Sequence, residues 1–201
     1  FLIDMNEAKK NGLSLSKIDA MINHNTCEVF FDNVEIPADT LVGEEGKGFR
    51  YIVDSMNAER ILIASECIGD AKFFIEKACA YANERSVFGR PIGANQGIQF
   101  PIAEAYAKAQ AAELMVTKAA AMFDAGEKAG AEANMAKLLA ADASWACAEV
   151  CMQTYGGFAF ACEYGIERKW REARLYQTAP ISKNMIFGFL GQHVLGLPRS
   201  Y

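Results

Sequence analysis

Three short stretches place reactive side chains at spacings with chemical meaning. The first is NAERILIA, Asn57 to Ala64, where Glu59 and Arg60 interrupt an apolar run. On a helix, Glu59 shares a face with Met56, three residues earlier, and Ile63, four later. Apolar surroundings disfavour the anion and raise a carboxyl pKa, and a base tuned in that way can remove a weakly acidic C–H proton. The same spacing suits a solvated residue at the rim of the stripe, which is the more ordinary reading of the spacing alone. The second stretch, ERSVFGRPIG, sets Arg85 and Arg90 around a glycine-containing turn. Arg85 falls near a helix end, where a cation complements the dipole; a planar guanidinium also suits a phosphate. The third, QTYGGFAF, ends a helix with Gly156 and Gly157. A simple helix terminus accounts for them, as does close approach of another molecule to the backbone. No GxGxxG follows a strand, so a dinucleotide-binding fingerprint of that type is absent.

Other chemistries have less to draw on. The cysteines are Cys27, Cys67, Cys79, Cys147, Cys151 and Cys162, with no CxxC pair. His24 and His193 are the two histidines and no ExxH occurs, so metal ligands are not expected. ERKWREAR, Glu167 to Arg174, pairs Glu and Arg at helical spacing and reads as a solvated face.

These residues need a scaffold, and the pattern supplies one. Apolar residues recur at three and four from about 46 to 84, again from 96 to 125 and from 131 to 155. Shorter helices are expected over 163–174 and 181–193, the second with Pro180 at its first turn. Before residue 42 the pattern is of strands and turns: CEVFFDNVEIP is rich in β-branched and aromatic residues, and NGLSLSKIDAMINHN opens on Asn-Gly. The expected fold is mainly α, an antiparallel four-helix bundle with extra C-terminal helices, preceded by a few β-strands of a truncated β-domain. Its domains would be 1–45 and 46–201. The alanine-rich helices suit close packing within a bundle, and equally a second bundle docked on them.

Of 201 residues, 52% are hydrophobic and 22% charged, with net charge −5. That is a globular balance, and it disfavours non-specific nucleic-acid binding. No apolar run approaches the roughly 18 to 20 residues of a membrane span. The chain starts at Phe1 without a signal-peptide pattern, and so few strands invite the expectation of a fragment. Free cysteines point to a reducing compartment, the cytoplasm or, in a eukaryote, the mitochondrial matrix.

Taken in order, FFDNVEIPADTLVGEEGKGF, NAERILIA, YANERSVFGRPIG, NQGIQFPIAE, MQTYGG and ERKWREARLYQTAPIS resemble the C-terminal part of the flavin-dependent acyl-CoA dehydrogenases. The resemblance runs over essentially the whole chain. It implies FAD as cofactor and an acyl-CoA thioester as substrate. A glutamate would remove the pro-R α-proton while the β-hydrogen leaves as hydride to flavin N5, giving the trans-2-enoyl-CoA. It further implies electron-transfer flavoprotein as acceptor and a homo-oligomer, dimer or tetramer. Arg85 matches the arginine of the RxxFG motif that meets the FAD phosphates across a subunit boundary, with Phe88 nearby. Gln96 matches a residue of the next turn that lines the cofactor. Gln153, Thr154, Tyr155, Gly156 and Gly157 match the segment beneath the neighbouring subunit's ADP portion. Asn57 and Arg60 match positions at the CoA end of the substrate.

The usual catalytic base is where this chain departs. Many members carry Tyr-Glu-Gly-Thr after the short charged helix; here Ala179, Pro180, Ile181 and Ser182 stand in those places. Proline cannot take a proton. The isovaleryl-CoA and long-chain enzymes of the family hold the glutamate on the first long bundle helix instead, at a position matching Glu59. Glu59 is therefore the expected base. Ser182, Lys183 and Asn184 match flavin-contacting residues, of which only Ser182 keeps a similar side chain. The missing β-segments imply that the fragment alone binds FAD poorly and is inactive. A non-catalytic bundle, an acyl-CoA oxidase and a flavin monooxygenase are the rival readings; an α-proton base disfavours the last.

Overall fold

In the computed structural model, which describes residues 1–22 and 25–199, the chain forms two units, Phe1–Ser55 and Met56–Tyr201. His24 lies outside the described residues.

The first unit opens on a short helix, α1 (Met5–Lys9), capped by Asp4, whose carboxylate accepts from the amides of Asn6 and Glu7. Strands β1 (Leu13–Ile18) and β2 (Thr26–Phe31) pair antiparallel, from Leu13 opposite Phe31 to Ile18 opposite Thr26. Gly12 has φ +89, and a Cβ there would collide with the Asp32 carbonyl oxygen. Only glycine therefore lets the strands close at that end. The return segment is tied back by the Leu2 amide to the Thr40 carbonyl (2.8 Å) and by Asn11 Nδ2 to the Glu35 carbonyl (3.1 Å).

The second unit is helical. Helix α2 (Gly48–Glu84), whose first residues fall in the first unit, ends in a tight hairpin of β3 (Ser86–Val87) and β4 (Arg90–Pro91), a feature the Gly and Pro residues of that stretch announce only as a break. Helices α3 (Gln96–Asp124), α4 (Gly130–Tyr155) and α5 (Ile166–Leu175) follow. Cys147 Sγ reaches the Ala105 carbonyl at one end of the α3–α4 pair, and Lys118 meets Glu132 at the other, so the two run antiparallel. The core forms where the three- and four-residue stripes meet. Phe74 of α2, Ala105 and Ala119 of α3, Ala140 and Cys147 of α4, and Ile166 of α5 belong to it. Buried alanine is abundant, and small side chains let helix axes approach closely. No helix among the described residues is long and apolar enough to cross a membrane.

Two expectations change at the C-terminal end. The charged helix α5 is docked rather than solvated. Lys169 reaches Asp70 of α2 (2.5 Å) as well as Glu172 (3.1 Å). Trp170 Nε1 donates to Glu149 (2.6 Å), and its ring lies 5.1 Å from that of Trp145. The long stems and the indole supply apolar contact that a count of charges hides. Burial disfavours the Asp70 carboxylate, with Glu172 and Glu66 adding repulsion, and its pKa stays raised despite Lys169. Burial likewise opposes the Lys169 charge, but hydrogen bonds and attraction from Asp70 and Glu172 prevail and hold its pKa above the ordinary lysine value. Second, Pro180 does not begin the last helix. Helix α6 (Lys183–Phe189) is capped by Ser182, whose Oγ accepts from the Met185 amide (3.4 Å), and continues as a wider turn over Leu190–Val194. The serine hydroxyl satisfies an orphan amide, which proline cannot do.

Candidate functional site

The end of α2, the β3–β4 hairpin and the end of α4 enclose an open recess of about 490 Å³. Tyr81, Arg85, Val87, Ile92, Thr154, Tyr155, Gly157 and Phe158 line it. The sequence places Arg85, Thr154, Tyr155 and Gly157 among candidate cofactor residues, and the fold brings these four to one cavity. Tyr81 and Tyr155 stack, and Tyr164 meets Tyr155 edge-on with centroids 5.5 Å apart. Thr154 Oγ1 donates to the Val150 carbonyl (2.7 Å), so its hydroxyl proton is committed to the helix.

This recess suits an anion with an aromatic or extended body. The Arg85 side chain is exposed and has no partner among the described residues, whereas Arg90 is tied to Asn95 Oδ1 (2.8 Å). Gly156, at φ +59, ends α4, and a Cβ at Gly156 or Gly157 would meet nothing within 4 Å. A free guanidinium beside bare, accessible backbone is the donor set a diphosphate needs.

The remaining candidates lie around this cavity or elsewhere in the same unit. Phe88 is fully exposed at the hairpin tip, with φ 52. Gln96, the first residue of α3, and Gln153 are exposed and do not line the recess. Ser182 and Asn184 sit at the start of α6. Sequence reasoning did not single out Tyr81, Val87, Ile92 or Phe158. Tyr81 was findable, because it lies one helical turn before Arg85 and shares its face.

Asn57, Glu59 and Arg60 lie within a single turn of α2. Arg60 Nη1 donates to Asn57 Oδ1 (2.8 Å), and the buried Arg60 Nε has no partner in the structure's described residues. Burial pulls the Arg60 pKa down, against the attraction of the adjacent Glu59 carboxylate. Glu59 itself is exposed, which corrects the expectation of an apolar setting within this chain. The buried stripe runs through Ile61, Ala64 and Ile68. Two residues subtend about 200° on a helix, so Glu59 points nearly opposite Ile61. Met56 and Ile63, its face neighbours, are only half-buried.

The connector after α5 carries no acid or base. It is held to α4 by three side chains: Gln177 Nε2 to the Ala141 carbonyl (2.7 Å), Lys137 Nζ to the Ile181 carbonyl (2.8 Å) and Lys183 Nζ to Asp142 Oδ2 (2.7 Å).

Comparison with known proteins identifies relatives of this arrangement. The family profile described as acyl-CoA dehydrogenase, C-terminal domain, matches residues 46–180. Acyl-CoA dehydrogenase fadE12 of Mycobacterium bovis is 41% identical over 176 residues, covering 87% of this chain and 45% of the relative. The caffeyl-CoA reductase–Etf complex subunit CarC of Acetobacterium woodii is 32% identical over 200 residues, covering 94% of this chain and 51% of that protein. A glutaryl-coenzyme A dehydrogenase solved with glutaryl-CoA superposes with a TM-score of 0.86 at 32% identity, over 94% of this chain and 49% of that one. The chain spans about half the length of the curated relatives it matches.

Proposed function

Because the chain belongs to the acyl-CoA dehydrogenase family, we propose that it forms the helical part of an FAD-dependent enzyme that oxidises an acyl-CoA thioester to the trans-2-enoyl-CoA. The observation that carries this reading is the recess that unites Arg85, whose side chain has no partner among the described residues, with Thr154, Tyr155 and Gly157.

Arg85 holds the cofactor's phosphates, and the Gly156–Gly157 backbone receives its ADP portion. Phe88, Gln96 and Gln153 border that site, and Ser182 and Asn184 contact the flavin end. Asn57 and Arg60 bind the CoA end of the substrate, where an anion answers the half-buried and only partly satisfied Arg60 guanidinium. Glu59 takes the substrate α-proton onto a carboxylate oxygen. Enclosure by cofactor and substrate supplies the desolvation that this chain by itself does not give the carboxylate. Bound FAD supplies the acceptor for the two electrons and the β-hydrogen.

Electron-transfer flavoprotein is the proposed acceptor; the name of the A. woodii relative associates that protein with an Etf complex. A homo-oligomer fits the exposed apolar residues Phe100, Tyr106, Leu114 and Phe123 along α3. A purified holoenzyme whose flavin absorbance bleaches on anaerobic addition of an acyl-CoA supports the function. Flavin that no member of an acyl-CoA panel reduces refutes it.

A further inference from the structure

Helix α4 buries a lysine in a core made mostly of alanine and other apolar residues, with Asn134 and Ser144 also buried on the same helix. Lys137 is 1% exposed, and Ala133, Ala136, Ala140 and Ala141 around it are buried. A buried ammonium is costly unless something specific receives it. Among the described residues no carboxylate forms an ion pair with Lys137; the nearby Asp142 is engaged by Lys183. The partner that Lys137 does have is a main-chain oxygen, the Ile181 carbonyl, at 2.8 Å and 44 residues away in sequence.

That oxygen lies at a decisive point of the connector. Ile181 immediately precedes Ser182, the cap of α6. The flanking ties, from Gln177 and Lys183, engage α4 through half-buried side chains. Among the described residues, Lys137 alone grips the connector from inside the bundle. It also grips backbone, so its hold is indifferent to which side chains occupy positions 179 to 182.

We infer that Lys137 is a positioning residue for the cofactor and substrate site: its buried ammonium fixes the Ile181 carbonyl, and with it the path of residues 179–182 and the aim of the Ser182-capped helix α6. This rests on the proposed function in so far as the connector borders the flavin. A charge-assisted hydrogen bond to a carbonyl is stronger and more directional than a neutral one, which suits a segment that must be placed without a carboxylate of its own.

The test compares the holoenzyme with Lys137→Met, which keeps the stem and removes the donor, and with Asp142→Asn, which weakens only the outer tie. Hydrogen exchange at the Met185 and Ile186 amides should rise by about tenfold in Lys137→Met, with α3 unchanged, and little in Asp142→Asn. Flavin reduction by acyl-CoA should slow by about tenfold in Lys137→Met without a matching loss of acyl-CoA affinity. Unchanged exchange at 185–186 overturns the hold. Raised exchange with normal reduction makes Lys137 merely structural and overturns the positioning role. If Lys137→Met does not fold, the wild-type ammonium decides: nitrogen-resolved NMR should show Nζ protons exchanging slowly with water, and fast exchange overturns the proposal. A wild-type flavin that no acyl-CoA reduces would remove the proposed function and the site role with it, while the exchange arm still reports whether Lys137 holds the connector.

Discussion

The ring of Tyr81 stacks on the ring of Tyr155, with centroids 4.1 Å apart and planes 17° from parallel. Tyr81 leaves α2 one turn before Arg85, and Tyr155 is the last residue of α4 before Gly156. The stack therefore clamps two helix ends and sets the spacing between a guanidinium and a bare backbone. Tyr81→Ala should cost about 2 to 3 kcal/mol of stability, from lost ring burial and the aromatic pair. It should also weaken FAD binding. Urea denaturation and flavin titration measure both; wild-type values in the two assays would dismiss the clamp.

Arg85 has the opposite profile. Its guanidinium is exposed and makes no bond within the described residues. Arg85→Met should therefore change stability by no more than about 0.5 kcal/mol. FAD should bind about 10- to 100-fold more weakly, the loss of a hydrogen bond to a charged group. Flavin fluorescence on reconstitution reads the affinity, and an unaltered affinity would free Arg85 from the cofactor site.

Glu59→Gln keeps size and polarity and removes the base. The holoenzyme should retain its flavin and fold, while reduction by acyl-CoA falls by about 10²- to 10⁴-fold. Stopped-flow absorbance under anaerobic conditions measures the rate. Near-normal reduction would displace Glu59 from the role.

The buried thiols predict alkaline lability. Burial pushes the pKa of Cys67, Cys147 and Cys151 from 9.0 up to about 12. The unfolded chain thus releases these protons first as pH rises, and binds fewer of them than the native state between 9 and about 12. These thiols leave stability unchanged below pH 9 and lower it through that window, by up to about 1.4 kcal/mol per pH unit for each thiol. Urea midpoints should drop between pH 8 and pH 10.5, less steeply in Cys147→Ala. Cys162, which is exposed, should be the most rapidly alkylated of the six at neutral pH. Equal slopes in the variant and the wild type would deny Cys147 its share.

Much of the scaffold was legible from local pattern. The three- and four-residue periodicity drew α2, α3 and α4 to within about two residues of their observed ends, because a continuous stripe of small apolar residues leaves a helix few alternatives. Gly156 read correctly as the end of α4. The β3–β4 hairpin was read only as a break, since its strands are two residues long and carry no periodicity. The start of α6 was misplaced by the proline, whose fixed φ suits a first helical turn wherever it falls; the serine hydroxyl two residues later settles it.

The sequence by itself determined which helices form, and its motif order determined the family and therefore the candidate residues. Both are local or linear properties, carried by side-chain periodicity and by residue types at fixed spacing. Only the tertiary structure decided which candidates meet. Arg85 joins Tyr155 and Gly157 because two distant helix ends are stapled by an aromatic stack. Glu59 stays exposed because the buried stripe of α2 turns away from it, and Lys137 is buried because its stripe faces the returning connector. A helix fixes the angle between its own side chains, but not the direction its neighbours come from. That direction is set by packing across the whole bundle.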